Sequence, residues 1–226
     1  MAIARIASTT NNVTSHFNMI ELYTWSTPNG RKVSIMLEEC GLAYHVHKIN
    51  IGTNREQFTP EYLKINPNGK IPSLVDSDGP DGKPIALMES GAILIYLAAK
   101  TGKFMPKSLR GKYEALQWLM FQMGGVGPMF GQAHHFMRAK KDEVPYGSER
   151  YGNEAKRLYG VMDRHLAERD YFAAEYSIAD MAIYPWVARH EWHRVDLGAF
   201  PAVKRWYERV GARPAVQRGM AVPPTS

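Results

Sequence analysis

Short alternating runs of apolar and polar residues dominate the first hundred positions, and longer runs with a helical period replace them further on. Ile20-Glu21-Leu22-Tyr23-Thr24 alternates as a strand, and residues 44–49 repeat the pattern. Between them Thr27-Pro28-Asn29-Gly30 has turn composition, and residues 31–40 place Val33, Met36, Leu37 and Cys40 on one helical face that Gly41 terminates. Residues 57–65 read as a polar loop with a short helix. Residues 71–75 read as a strand that begins at Pro72, where a missing N–H is tolerated and a cis bond fits a tight turn. Residues 84–88 are its hairpin partner across a loop rich in Gly, Pro and Asp. Ser90 then stands as the N-cap of a helix over 90–101, with Ile93, Leu94 and Leu97 as its apolar stripe and Gly102 as its stop.

The order strand, helix, strand, helix, strand, strand, helix predicts an α/β sandwich of the thioredoxin type. Beyond a connector at 102–107 strand signals vanish, and residues 113–123, 147–166, 178–190 and 202–212 read as helices. In the second of these, Tyr151, Ala155, Leu158, Tyr159, Met162 and Leu166 share a face. Ser177-Ile178-Ala179-Asp180 has the spacing of a capping box at the start of a helix central to the bundle, where losing the cap costs roughly 0.5 to 2 kcal/mol. The predicted organisation is a flexible arm over 1–18, an α/β domain over 19–102 and an all-helical domain over 108–226.

Composition narrows the function classes. At 226 residues, 45% apolar and 22% charged, the chain has the make-up of a soluble globule with a sizeable core. The net charge of +6 comes from basic residues scattered among acids, with no nucleic-acid motif, so it favours anionic small molecules over nucleic acid. Met1 to Phe17 lacks the apolar core of a signal peptide or a membrane span. Cys40 is the single cysteine, which precludes an internal disulfide, suits a reducing cytoplasm and reads as a buried apolar side chain. His134-His135 is not a metal pair, because neighbours on a helix diverge and no third ligand is close by.

Asn66-Pro67-Asn68-Gly69-Lys70-Ile71-Pro72 followed by Glu89-Ser90, together with the Ser-x-x-Asp element at 177–180, resembles the glutathione transferase superfamily over nearly all of residues 18–219. The loop Thr27-Pro28-Asn29-Gly30, with Gln57, Glu89-Ser90-Gly91-Ala92, Gln117-Trp118, the Gly124 to Met129 run and Glu149-Arg150-Tyr151, is similar to the Nu-class bacterial enzymes of that superfamily. The resemblance implies the glutathione transferase fold, a homodimer, glutathione or its disulfide as cofactor, and glutathione-dependent disulfide-bond oxidoreductase activity. Conjugation of glutathione to organic electrophiles with some peroxide reduction, using Ser26 or Thr27 as the hydroxyl, is the alternative. A non-catalytic regulatory module is a third.

The same resemblance implies roles residue by residue. Thr27 and Asn29 would stabilise the glutathione thiolate, which needs roughly 2.7 kcal/mol of preference for the anion to drop a thiol pKa by about two units. Ile71, beside Pro72, would pair through its main chain with the cysteinyl part, and Lys70 and Gln57 would face the glycyl carboxylate. Glu89 would take the γ-glutamyl ammonium and Ser90 its carboxylate. Arg150 would hold a second glutathione or close the cleft. Tyr23 is core or surface and is not favoured as the thiol activator. His135, with Phe130, Gln132 and Phe136, is a candidate lining for the open side of the cleft, with ordinary packing as the competing reading for each.

Overall fold

The structure, a computed structural model, describes residues 20–224. The arm expected over 1–18 lies outside the described residues.

β1 (Ile20–Thr24), β2 (Tyr44–Lys48), β3 (Ser73–Asp76) and β4 (Ile85–Met88) form one sheet in the order β2-β1-β3-β4. β1 pairs parallel with β2 and antiparallel with β3, in a register that sets Leu22 opposite both Val46 and Leu74. Alternation along β1 turns Ile20, Leu22 and Thr24 into the core. α1 (Pro28–Cys40) and α3 (Ser90–Thr101) cover that face with Val33, Met36, Leu37, Ile93, Leu94 and Leu97, all fully buried. α2 (Pro60–Ile65) contributes Tyr62, whose hydroxyl donates to the Lys70 carbonyl at 2.6 Å and lies 2.9 Å from Ser73 Oγ.

The helical half comprises α4 (Leu109–Phe121), α5 (Gly127–His134), α6 (Pro145–Leu166), α7 (Ile178–Val187), α8 (Pro201–Gly211) and α9 (Pro214–Met220). α5 is flanked by wide π turns at Gln122–Val126 and His135–Ala139. Neither α5 nor α9 is expected from the sequence pattern. α7 is also shorter than expected: Pro185 lies within it, and the chain turns through His190–His193 into a left-handed Arg194. The Ser177 and Asp180 capping box forms. Asp180 is fully buried and accepts from the Phe172 and Ser177 N–H groups, from Ser177 Oγ and, at 2.8 Å, from Trp206 Nε1.

One continuous apolar core joins the two halves, and α1 is the seam. Arg213 grips Glu39 with two nitrogens at 2.6 and 2.9 Å, Arg218 reaches Glu38, and Ser34 Oγ donates to the Gly219 carbonyl at 2.6 Å. A side chain at 219 would meet the Ile35 backbone at 2.5 Å, so α9 lies this close to α1 only because the residue is glycine.

Candidate functional site

The Thr27-Pro28-Asn29-Gly30 segment is not a free turn but the cap and first turn of α1. Thr27 is extended, its Oγ1 accepts the Gly30 N–H at 3.1 Å, and Pro28 occupies the first helical position, where its missing N–H has no cost. Having accepted, the Thr27 hydroxyl keeps its proton to donate. Gly30 lets α1 abut the end of β1, since a Cβ there would meet the Trp25 carbonyl at 2.5 Å. Asn29 is held from the helical half: its Oδ1 accepts from Trp186 Nε1 at 3.1 Å. Among the described residues that leaves the Asn29 Nδ2 protons as free donors beside the positive end of α1.

These groups face a cleft of about 500 Å³ between the two halves. Ser26, Thr27, Asn29, Gln57, Lys70 and Ile71 line one side. His134, Trp186, Arg189 and Trp192 line the other. Gln57 is buried in the turn Glu56–Phe58, and its Oε1 has no partner among the described residues. The Lys70 carbonyl is saturated by Tyr62 and by Asn66 Nδ2 at 2.6 Å, which pins the segment. Ile71, joined to Pro72 by a cis bond, keeps both main-chain groups unpaired among the described residues. Such an edge can pair with a short extended peptide.

Glu89, Ser90 and Pro72 do not line this cleft themselves. Ser73 pairs with Met88, so the chain leaves the hairpin with 71–72 and 89–90 side by side. Ser90 is the first residue of α3 and not its N-cap: Glu89 takes that place at φ 66, without a side-chain cap bond. The α3 first-turn N–H groups are left open and the Glu89 carboxylate is exposed, which suits an amino-acid head group. The Ser90 hydroxyl instead accepts from Lys32 Nζ at 3.2 Å. Lys32 is fully buried, and it also donates to Gln122 Oε1 at 2.5 Å and faces Met123 Sδ at 3.5 Å. Burial pulls its ammonium down to about 7, opposed by the nearby Glu89 charge.

Two expectations, that Arg150 reaches the cleft and that His135 lines its open side, are corrected by the geometry. Arg150 is not brought to the cleft; it is exposed in a separate depression with Met129, Tyr151, Glu154 and Arg157. His134, not His135, lines the open side, while His135 and Gln132 are exposed, Phe130 is sealed in the core and Phe136 stacks on Tyr151. Burial lowers the His134 imidazole to about 4, with Arg189 and Arg138 adding to it, so the ring is neutral near pH 7. Tyr23 stacks on His47 at 4.4 Å away from the cleft, and burial raises its phenol. Cys40 is buried 3.6 Å from Thr101 Oγ1, its thiol pushed up by burial. Among the described residues no three of His, Cys, Asp and Glu come together as a metal site, and no helix is long and apolar enough to cross a membrane.

Sequence reasoning missed Lys32 and the whole helical wall. Lys32 had a readable signal, a charge four residues before Met36 and eight before Cys40 on the apolar face of α1. Trp186, Arg189 and Trp192 had none, because a π turn, a proline-bearing helix and a 3₁₀ turn bring them together.

Residues 27–100 match the glutathione S-transferase N-terminal domain, and residues 123–214 match the glutathione S-transferase C-terminal domain. The disulfide-bond oxidoreductase YfcG of Escherichia coli K12 is 48% identical over 204 residues, 89% of this chain and 94% of that protein. The disulfide-bond oxidoreductase YghU of the same organism is 40% identical over 90% of this chain and 74% of its own length. A glutathione transferase from Pseudomonas putida with one glutathione disulfide bound per subunit superposes with a TM-score of 0.88 at 48% identity, covering 93% of this chain and 94% of that one. One from Burkholderia graminis with two glutathione molecules per subunit gives 0.87 at 46% identity, covering 95% and 92%.

Proposed function

Since this chain belongs to the glutathione S-transferase family, we propose that it is a glutathione-dependent disulfide-bond oxidoreductase of the Nu type, acting on small or mixed disulfides. The observation that carries the reading is the Thr27 hydroxyl and the Trp186-braced Asn29 amide, both beside the start of α1 in a cleft that contains no protein thiol. The relatives named for disulfide-bond oxidoreduction support it.

The unpaired groups present are those glutathione needs. Glu89 and the α3 start suit the γ-glutamyl ammonium and carboxylate, the Ile71 main chain suits the cysteinyl amide, and the Gln57 Nε2 protons with the Lys70 ammonium suit the glycyl carboxylate. Glutathione would supply the reactive sulfur, so that two tripeptide thiols and one disulfide become glutathione disulfide and two product thiols, with two electrons and two protons transferred. Thr27 and Asn29 contribute by holding negative charge on that sulfur; each charge-assisted hydrogen bond is worth about 1.5 to 3 kcal/mol and the helix end adds about 0.3 to 1. Lys32 holds Ser90 in place from behind. Arg150 stands outside the cleft within one chain, so neither holding a second glutathione nor closing the cleft is assigned to it. A homodimer is part of the proposal, supported by Leu109, Tyr113 and Met120, which stand 69%, 63% and 53% exposed along one side of α4. A reducing cytoplasm fits a chain with one buried thiol.

Steady-state reduction of 2-hydroxyethyl disulfide, coupled to glutathione reductase, is expected to proceed well above the uncatalysed rate. Turnover of an aromatic halide alone would turn the reading to conjugation, and no binding of glutathione or its disulfide by calorimetry would turn it to a regulatory module. Light scattering checks the dimer.

A further inference from the structure

The helical wall carries an excess of positive charge that the thiolate chemistry does not use. Arg138 and Arg189 place their guanidinium carbons 3.7 and 3.8 Å from the Trp192 ring centre. Arg31, on α1, donates to Ser26 Oγ at 3.1 Å, and Ser26 lines the cleft. None of the three arginines pairs with a carboxylate among the described residues, although other arginines of this chain do. The Nε atoms of Arg31 and Arg189 are buried without a partner among the described residues. Burial and then the charges of Arg31 and Arg138 lower the Arg189 guanidinium to about 10, and no acidic group offsets them. Arg31 and Arg189 are half-buried and Arg138 is exposed at the rim; half-buried cations without counter-ions are costly unless something anionic completes them. Stacking on an indole also holds the guanidinium planes fixed for such a ligand.

We propose that Arg138 and Arg189, stacked on Trp192, together with Arg31 beside Ser26, form a subsite for the anionic half of a small disulfide, so that this protein selects carboxylate-bearing disulfides over neutral and cationic ones. The inference rests on the disulfide reading above. An anionic disulfide and an attacking thiolate repel one another, and the cluster reverses that sign at the point of approach. As the new sulfur–sulfur bond forms, the old one breaks and the distal sulfur leaves with the electron pair as a thiolate. Its charge, like the carboxylate it carries, falls beside the arginines, and it then takes a proton from water.

Three disulfides of similar size provide the test: 3,3′-dithiodipropionate, 2-hydroxyethyl disulfide and cystamine, reduced by the full-length protein with glutathione and corrected for the uncatalysed rate. The kcat/KM of the dianion is expected to exceed that of the neutral compound by about tenfold, through KM, and to lose this advantage as salt is raised. Arg189→Gln should cut that ratio at least about fivefold, Arg189→Lys should restore part of it, and Arg31→Gln offers a second route if the first variant folds poorly. Calorimetry without glutathione should show dithiodipropionate binding that weakens in Arg189→Gln. Equal efficiency with all three disulfides, or a ratio and a binding constant untouched by both glutamine variants, overturns the subsite and leaves disulfide reduction standing. Failure of all three to react overturns both. Binding of glutathione disulfide by calorimetry with no preference between the propionate and hydroxyethyl compounds would mean that the cleft reads the tripeptide, and the proposal would fall.

Discussion

The two walls of the cleft differ in what they are made of. On the sheet side, open groups are largely main-chain ones at element ends, at Ile71 and at the starts of α1 and α3, with Thr27, Asn29 and Glu89 beside them. On the helical side the lining comes from residues with large side chains: His134, Trp186, Arg189 and Trp192. A wall built of main chain is fixed by how the strands and helices end, so it can serve one invariant ligand. A wall built of side chains can be altered residue by residue without disturbing the fold, and that is where selectivity for the second substrate can be written.

Asn29→Ala gives the largest expected effect, because Asn29 is the point where the two walls meet. Losing one charge-assisted donor should lower disulfide turnover by at least about tenfold, with unchanged circular dichroism. Unchanged turnover would move thiolate stabilisation to Thr27 and the helix end alone. The Arg189 variants should do the opposite, shifting preference among disulfides without shifting thiol ionisation.

Lys32→Met tests the joint behind the sheet-side wall. The buried ammonium titrates at about 7 in the folded chain and near 10.4 when unfolded, so the unfolded chain holds more protons between those values. Stability therefore rises with pH across that window, by roughly 2 kcal/mol between pH 7 and 9. Urea unfolding at both pH values should show this rise in the native protein and its loss in the methionine variant. An equal change in both would mean that Lys32 titrates normally.

Trp186→Phe sharpens the comparison further, since it removes one indole N–H that braces Asn29 and touches nothing else polar. A neutral hydrogen bond is worth about 0.5 to 1.5 kcal/mol, so the variant should lose about two- to tenfold in turnover. Because Trp186 positions Asn29, the acid limb of the pH–rate profile should move upward by up to about one unit. A loss of turnover with no such movement would make the indole a packing residue only.

How much of this was legible in the sequence follows the same division. β1, α1 and α3 were readable because each pairs a clean period with its own stop signal, whereas Gln57 and Lys70 came only with the family resemblance. The errors on that side were local: Pro28 at the first helical position turned an apparent turn into helix, and Glu89 displaced Ser90 from the cap. The Gly124 to Pro128 run has breaker composition yet leads through a π turn into α5, because Gly127 lies against Gln122 and Gly131 against Trp186. The helical wall draws its residues from segments more than fifty positions apart, and no spacing rule reports that.

Cys40→Ala is the smallest expected change and bears on the premise that both walls share, that the reactive sulfur is not the protein's own. Thr101 Oγ1 donates to the Leu97 carbonyl at 2.7 Å, so in the 3.6 Å contact with Cys40 the thiol proton is the one donated. A thiol that is donating and buried stays protonated, which agrees with the upward push that burial gives it. Replacing it by a methyl group removes a few packing contacts, for a stability loss of about 1 kcal/mol or less. Disulfide turnover should stay within about twofold of the native rate, since Cys40 lies outside the cleft. Loss of activity in folded Cys40→Ala would give the protein a nucleophile of its own, and the division between the two walls would no longer describe how the reaction is run.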